Sequence, residues 1–239
     1  RSALNGRNFE YYSEDPFISG IMAAYSVYGA KEKGVYCWIK HFVLNENEEG
    51  RLGMYQWCTE QALREIYLRP FELAVKKGGT VAMMTSYGRV GSVRASGSYA
   101  LCTLVLRNEW GFEGAVITDY YNGGAIHDAD ECIRAGNDLM LNPNGTPTLF
   151  DDRSSATAVK ALQQSTKSIL YCYLNARYTA VNSQGLDLSS LIGTKTEPYA
   201  WWVPVTITMD CVLAAGLVTL GVLLFVKRKK SPPAPAQEE

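Results

Sequence analysis

Three short apolar runs in this sequence end in side chains of the kinds that do chemistry. The run 35–39 (VYCWI) is followed by Lys40 and His41, 81–85 (VAMMT) by Ser86 and Tyr87, and 115–118 (AVIT) by Asp119 and Tyr120. A carboxylate that closes a buried strand has a short, rigid reach, so Asp119 suits attack at a fixed carbon; the alternative is a cap on the helix that follows. Lys40 and His41 sit against a strand too apolar for a surface role, and an unpaired charge there is costly. A hydroxyl-rich ligand would supply the partners; a histidine satisfied within the core is the alternative for His41. Tyr87 either reaches the same place or packs in the core.

The elements that must position these residues follow from the patterning. Apolar runs at 35–39, 81–85, 115–118 and 138–141 read as strands buried on both faces, and the stretches 54–77 and 99–110 between them read as helices. Such alternation predicts an α/β fold with a parallel sheet or barrel. In a barrel the loops after the strands converge on one mouth, which is where the three polar endings would meet. Residues 151–178 carry apolar positions at helical spacing after Asp151 and Asp152 and read as the last barrel helix. Four strands make half of an eight-stranded barrel. The expectation is therefore a partial (β/α)8 TIM-type barrel, its later half, over 1–180, with a linker over 181–200.

Six blocks of the sequence, in order, resemble those of glycoside hydrolase family 3: GRNFEYYSEDPFISG (6–20), IKHFVLNENEEGR (39–51), ALREIYLRPFELAV (62–75), MMTSYGRVG (83–91), LRNEWGFEGAVITDYY (106–121) and AGNDLML (135–141). The resemblance implies a retaining, exo-acting, β-glucosidase-like hydrolase of terminal sugars on oligosaccharides, with β-xylosidase as the near alternative. It implies that Asp119, in Thr118-Asp119-Tyr120, is the nucleophile that forms a covalent glycosyl-enzyme. Arg7, Lys40 and His41 then bind hydroxyls of the sugar in the subsite before the scissile bond, Arg7 having an ion pair with Glu10 or Asp15 as its alternative. Tyr87 corresponds to a tyrosine close to the nucleophile. The family usually follows it with asparagine, where this chain has Gly88 and Arg89. The polar loop of Asn45, Glu46, Glu48 and Glu49 lacks the Gly-His-Gly-Asp element of the N-acetylglucosaminidases and reads as solvated, with Glu46 or Glu48 available to pair with Lys40 or Arg51. In most of the family the acid/base comes from an α/β sandwich domain. The resemblance places that domain and the first barrel half upstream of Arg1, as in a domain-permuted member, and the chain alone is expected to be inactive. A truncated or degenerate membrane-anchored sugar-binding protein without turnover is the reading from a different class.

The composition sets the outer limits. With 239 residues, 47% hydrophobic, 20% charged and a net charge of -1, the chain has the balance of a globular protein and no basic face for nucleic acid. Its six cysteines show none of the close pairs of a zinc site and read as buried free thiols. His127, Asp128, Asp130 and Glu131 read as the exposed face of a helix rather than as metal ligands, and no cofactor is expected. The run 201–226 (WWVPVTITMDCVLAAGLVTLGVLLFV) carries one charge, Asp210, and stops at Lys227, Arg228, Lys229 and Lys230. That is the pattern of a single transmembrane helix, with Trp201 and Trp202 at the outer interface, the lipid bilayer as partner, and the basic, proline-rich tail 227–239 cytoplasmic. A single-pass protein of the cell membrane with its soluble part outside is the expected arrangement.

Overall fold

The computed structural model describes residues 2–121, 126–142 and 150–184, and single positions at Thr208, Met209, Cys211 and Thr219. Residues Arg1–Leu188 form one compact unit and Ser189–Glu239 a second. The first is an α/β unit. In it α1 (Pro16–Lys31) starts where the Asp15 side chain accepts from Ile18 N at 2.7 Å, with Pro16 supplying the fixed φ of a first turn. β1 (Ile39–Phe42) and the two-residue β2 (Tyr55–Gln56) follow, then the short α2 (Glu60–Ala62), capped by the Thr59 hydroxyl, and α3 (Arg69–Lys76). Between these helices Leu63–Tyr67 widens into a π turn closed by Leu68 N on Leu63 O at 2.8 Å. Pro70, which has no N–H to give the turn behind it, marks the point where the ladder changes step.

β3 (Ala82–Thr85), β6 (Ala115–Tyr120) and β7 (Leu139–Leu141) join β1 in a parallel sheet of order β1-β3-β6-β7. Ile39 pairs with Met83, Met83 with Val116 and Ile117 with Leu139. The π-helical Ala100–Glu109 leads into β6, α4 (Ala129–Ala135) into β7, and α5 (Ala156–Gln184) closes the unit. One face of the sheet is filled by Phe42, Met83, Leu106, Val116 and Leu68, all 2% exposed or less. Phe42 meets Phe71 and Trp110 edge-on, at 5.3 and 6.0 Å between ring centroids. Burying a ring of that size fully contributes about 2 kcal/mol, which fixes β1 by its second half.

That placement corrects the expected first strand. Val35 is 58% exposed whereas Phe42 is fully buried, so the register is set by the residues after the run 35–39, and Lys40 and His41 lie within the strand. Asp119 likewise lies inside β6, one residue before its end. The expected helix over 54–77 gives up its start, because Tyr55 and Gln56 pair with Arg89 and Val90 of β4 (Arg89–Val90). With β5 (Val93–Arg94) these make a second sheet, β2-β4-β5. The last helix begins at Ala156, since the Asp152 carboxylate accepts from Ser154 N and Ser155 N and the Ser155 hydroxyl from Ala158 N. It continues to Gln184, into the stretch read as linker. The rest of that stretch, the run 201–226 apart from its isolated positions, and the tail lie outside the described residues. Among the described residues no helix is long and apolar enough to cross a membrane. Cys102 and Cys132 are buried as expected; Cys58, on the loop before the Thr59 cap, is exposed, as is Cys211, and Cys37 and Cys172 are half-buried.

Candidate active site

β1 and β6 flank β3, and this brings the polar residues of both strands to the same end of the sheet. Asp119, 7% exposed, points its Oδ2 at His41 Nε2 across 3.4 Å, and its Oδ1 accepts from Tyr120 N at 2.8 Å. Thr118 before it is fully buried and its hydroxyl accepts from Leu141 N at 3.1 Å, which locks the strand just ahead of the carboxylate. Burial pushes the Asp119 carboxyl above the usual aspartate range, against the Tyr120 N–H and the charges of Arg51, Arg7 and Lys40, which favour the ion.

His41 is held by three side chains. The Tyr11 hydroxyl lies 2.7 Å from its Nδ1 and Arg7 Nη1 lies 3.3 Å from its Nε2. Burial, with the charges of Arg7 and Lys40, pushes the imidazole down to about 3, Glu10 opposing, so the ring is neutral at ordinary pH. Arg7 can only donate and an ionised Asp119 can only accept, so the two ask opposite tautomers of Nε2; the nearer contact, from Arg7, makes Nε2 the acceptor and turns the Nδ1 proton toward the Tyr11 oxygen.

Arg7 and Lys40 converge on Glu10. Lys40 Nζ stands 2.8 Å from one oxygen and Arg7 Nε bonds the other. Desolvation would raise the Glu10 carboxyl, but the hydrogen bonds from Lys40 and Arg7 hold it down at about 2. Glu10 is thus an anion throughout the working range and has no proton to donate. The ion pair weighed for Arg7 is therefore present, and the same guanidinium still reaches His41. Glu48 pairs with Arg51 at 2.5 Å, as one of the expected loop pairings, whereas Lys40 pairs with Glu10 and with neither Glu46 nor Glu48.

Tyr87 is 5% exposed and stands close enough to Asp119 that burial, and after it the aspartate's charge, pushes the phenol up to about 12. The Tyr120 N–H that serves Asp119 Oδ1 also faces the Tyr87 hydroxyl. The departure at Gly88 has a local reason. A Cβ there would stand 2.6 Å from Leu44 O and 2.9 Å from Gln56 Nε2, because the Gln56 amide occupies that space and donates to Leu44 O at 2.5 Å. A side chain from β2 fills the place that a side chain at position 88 would take.

The structure thus brings together Asp119, His41, Arg7, Lys40 and Tyr87, all expected from the sequence, and adds Glu10, Tyr11 and Arg51. Glu10 stands three residues after Arg7, a spacing the sequence reading weighed only as an alternative. Arg51 was read only as a possible partner of Glu46 or Glu48, and Tyr11 had no signal of its own. A cavity of about 250 Å³ also opens beside Glu10, Lys40 and His41, walled by Trp38, Tyr67 and Phe71. Asp119 is not among its walls.

Comparison with known proteins bears on what such a cluster serves. Residues 1–169 match the model of the glycosyl hydrolase family 3 N terminal domain. A beta-glucosidase of Ruminococcus albus is 39% identical over 182 residues, 71% of this chain and 19% of that protein. A beta-glucosidase of Rhizobium radiobacter is 48% identical over 141 residues, 59% of this chain and 17% of its own. Among solved structures, beta-glucosidase 3B of Thermotoga neapolitana superposes with a TM-score of 0.67 at 37% identity, covering 78% of this chain and 27% of that one. The chain spans about a fifth of the length of the curated relatives it matches.

Proposed function

We propose, for a chain that belongs to glycosyl hydrolase family 3, that Asp119 is the nucleophile of a retaining β-glucosidase-like hydrolase acting on terminal sugars of oligosaccharides. The observation that carries this reading is the buried carboxylate at the end of β6, facing neutral His41 and under the charges of Arg7, Lys40 and Arg51. Desolvation raises the basicity of the attacking oxygen, and the surrounding cations keep it ionised. In the first step Asp119 attacks the anomeric carbon and the glycosidic oxygen leaves with a proton from a general acid; water then cleaves the glycosyl ester. Glu10, held as an anion, is unsuited to that acid role, which we assign to a carboxyl group outside this cluster. Arg7, Lys40 and His41 are assigned to sugar hydroxyls, and closure of the parallel sheet into a (β/α)8 barrel belongs to the same reading.

The test is trapping with an activated 2-deoxy-2-fluoro-β-glucoside, whose fluorine slows both formation and hydrolysis of the glycosyl ester while its good leaving group restores the rate of formation alone, so the ester accumulates. A mass increase on the peptide that contains Asp119 is expected, along with loss of several orders of magnitude in turnover for Asp119→Asn. Label on another carboxylate, or an active Asp119→Asn, would overturn the assignment.

The run 201–226 and the four basic residues after it support a single membrane anchor with the catalytic part outside the cell. Extraction of the protein by detergent but not by carbonate is the expected behaviour.

A further inference from the structure

Two groups pack on the Tyr87 ring: His127, which the site as described leaves unused, and Arg51, used there only for its charge on Asp119. The His127 ring stacks on Tyr87 at 5.3 Å between centroids and 17° between planes. The Arg51 guanidinium carbon lies 4.8 Å from the centroid of the same ring. A parallel stacked imidazole covers one face of a phenol. Arg51 also lends its charge to both Tyr87 and Asp119. Both packing groups are themselves fixed: Arg51 by Glu48 at 2.5 Å, and His127, 1% exposed, by the Ser96 hydroxyl at 2.8 Å from its Nδ1. Ser96 is in turn tied to the sheet, since Asn137 Nδ2 donates to its carbonyl at 3.3 Å and to Thr85 Oγ1 at 2.9 Å, directly before the Ser86-Tyr87 turn. His127 Nε2 is buried and has no hydrogen-bond partner among the described residues, so apart from the Ser96 contact at Nδ1 what the ring gains where it lies comes from its flat face.

We infer that Arg51 and His127 are positioning residues of the catalytic site, packing together on the Tyr87 ring as a clamp that keeps its hydroxyl at the Tyr120 N–H that also serves Asp119. This rests on the assignment of Asp119 as nucleophile. A phenol free to turn about its χ angles moves its oxygen by more than an ångström, and a displacement of that size at a reacting group can cost up to about 100-fold in rate. The guanidinium adds a cation–π attraction that an ammonium would supply with less area.

The experiment is a double-mutant cycle through Tyr87 in the intact protein, read as kcat and KM on an aryl β-glucoside. Arg51→Ala and His127→Ala are each expected to lower kcat on the order of tenfold with KM little changed. His127→Phe, which keeps a stacking ring and gives up the Ser96 hydrogen bond, should restore most of kcat. In a Tyr87→Ala background His127→Ala should cost nothing more, and Arg51→Ala only the smaller part that comes from its charge on Asp119. Losses that add fully in that background, or unchanged kcat in both single variants, would overturn the clamp. Asp119→Asn run alongside separates the two readings: if it stays active the nucleophile assignment fails, whereas if it is dead and the clamp variants are unaffected only the clamp fails. The clamp is also read without turnover, from the ¹⁹F resonance of 3-fluorotyrosine at position 87. A shift toward the free-tyrosine value in His127→Ala supports it, and an unchanged resonance overturns it.

Discussion

Glu10 sets the charge state around Asp119, because one carboxylate serves both cations that face His41. Glu10→Gln would leave Arg7 and Lys40 uncompensated. The acid limb of kcat/KM should then move to lower pH, since a stronger positive field favours ionised Asp119. KM for an aryl glucoside should rise about tenfold as Arg7 and Lys40 lose their charge-assisted anchor. An unmoved acid limb would show that the pair is insulated from Asp119. Asp119, Lys40, His41 and Tyr87 were legible in the sequence because apolar runs bracket them and polar groups there need a reason. Tyr11 was not, since His41 lies 30 residues on, and Glu10 was read only as a possible partner of Arg7, because Lys40 too lies 30 residues on. His127 was hidden differently: the acidic residues after it belong to the start of α4, where Asp128 caps the helix at 2.7 Å, and their surface pattern masked a histidine facing inward.

The small sheet β2-β4-β5 governs the loop beside the site, and Gly88 is the residue that lets it form. Gly88→Asn, which restores the side chain usual in the family, should collide with Leu44 O and Gln56 and cost about 1–3 kcal/mol, read as a lowered melting midpoint. Gln56→Ala in the same chain should recover part of that loss by vacating the space; failure to recover would mean that the backbone at Leu44 is what cannot move. The packing of α1 on α3 offers a second case, since a Cβ at Gly20 would stand 2.5 Å from Leu73 Cδ1. Gly20→Ala should lower stability by a similar amount, and Leu73→Val should compensate it. Two-residue strands and π turns such as these leave no periodicity to read, which is why the sequence showed helix over 54–77 where strand, cap and widened turn share the segment. The long strands and α5 were legible because burial repeats along them; their ends were not, because the register of β1 is decided by Phe42 against Phe71 and Trp110.

At the scale of the whole molecule, two buried neutral histidines tie stability to pH. An unfolded histidine takes its proton near pH 6.5, whereas burial holds folded His127 down to about 4 and His41 to about 3. Their contribution is therefore complete above about pH 6.5 and is lost as pH falls through that window, by about 3 kcal/mol for His127 alone. Urea midpoints measured from pH 7 to 4.5 should fall accordingly, and His127→Phe should flatten the slope; a flat profile in the unsubstituted protein would mean the rings are protonated in place. The alternating pattern made the parallel sheet legible, but a sequence does not state which strands end up outermost. In the order β1-β3-β6-β7 the outermost are β1 and β7, each with a row of amide groups facing away from its one neighbour among the described residues. Such a row is a template for another chain, and along β1 it runs beside Lys40 and His41. In a closed barrel that edge would be paired, but in a concentrated preparation of this chain alone self-association through it would cover Lys40 and His41, so turbidity and loss of glucoside binding should rise together, and a charged substitution at exposed Val35, just ahead of the strand, should delay both.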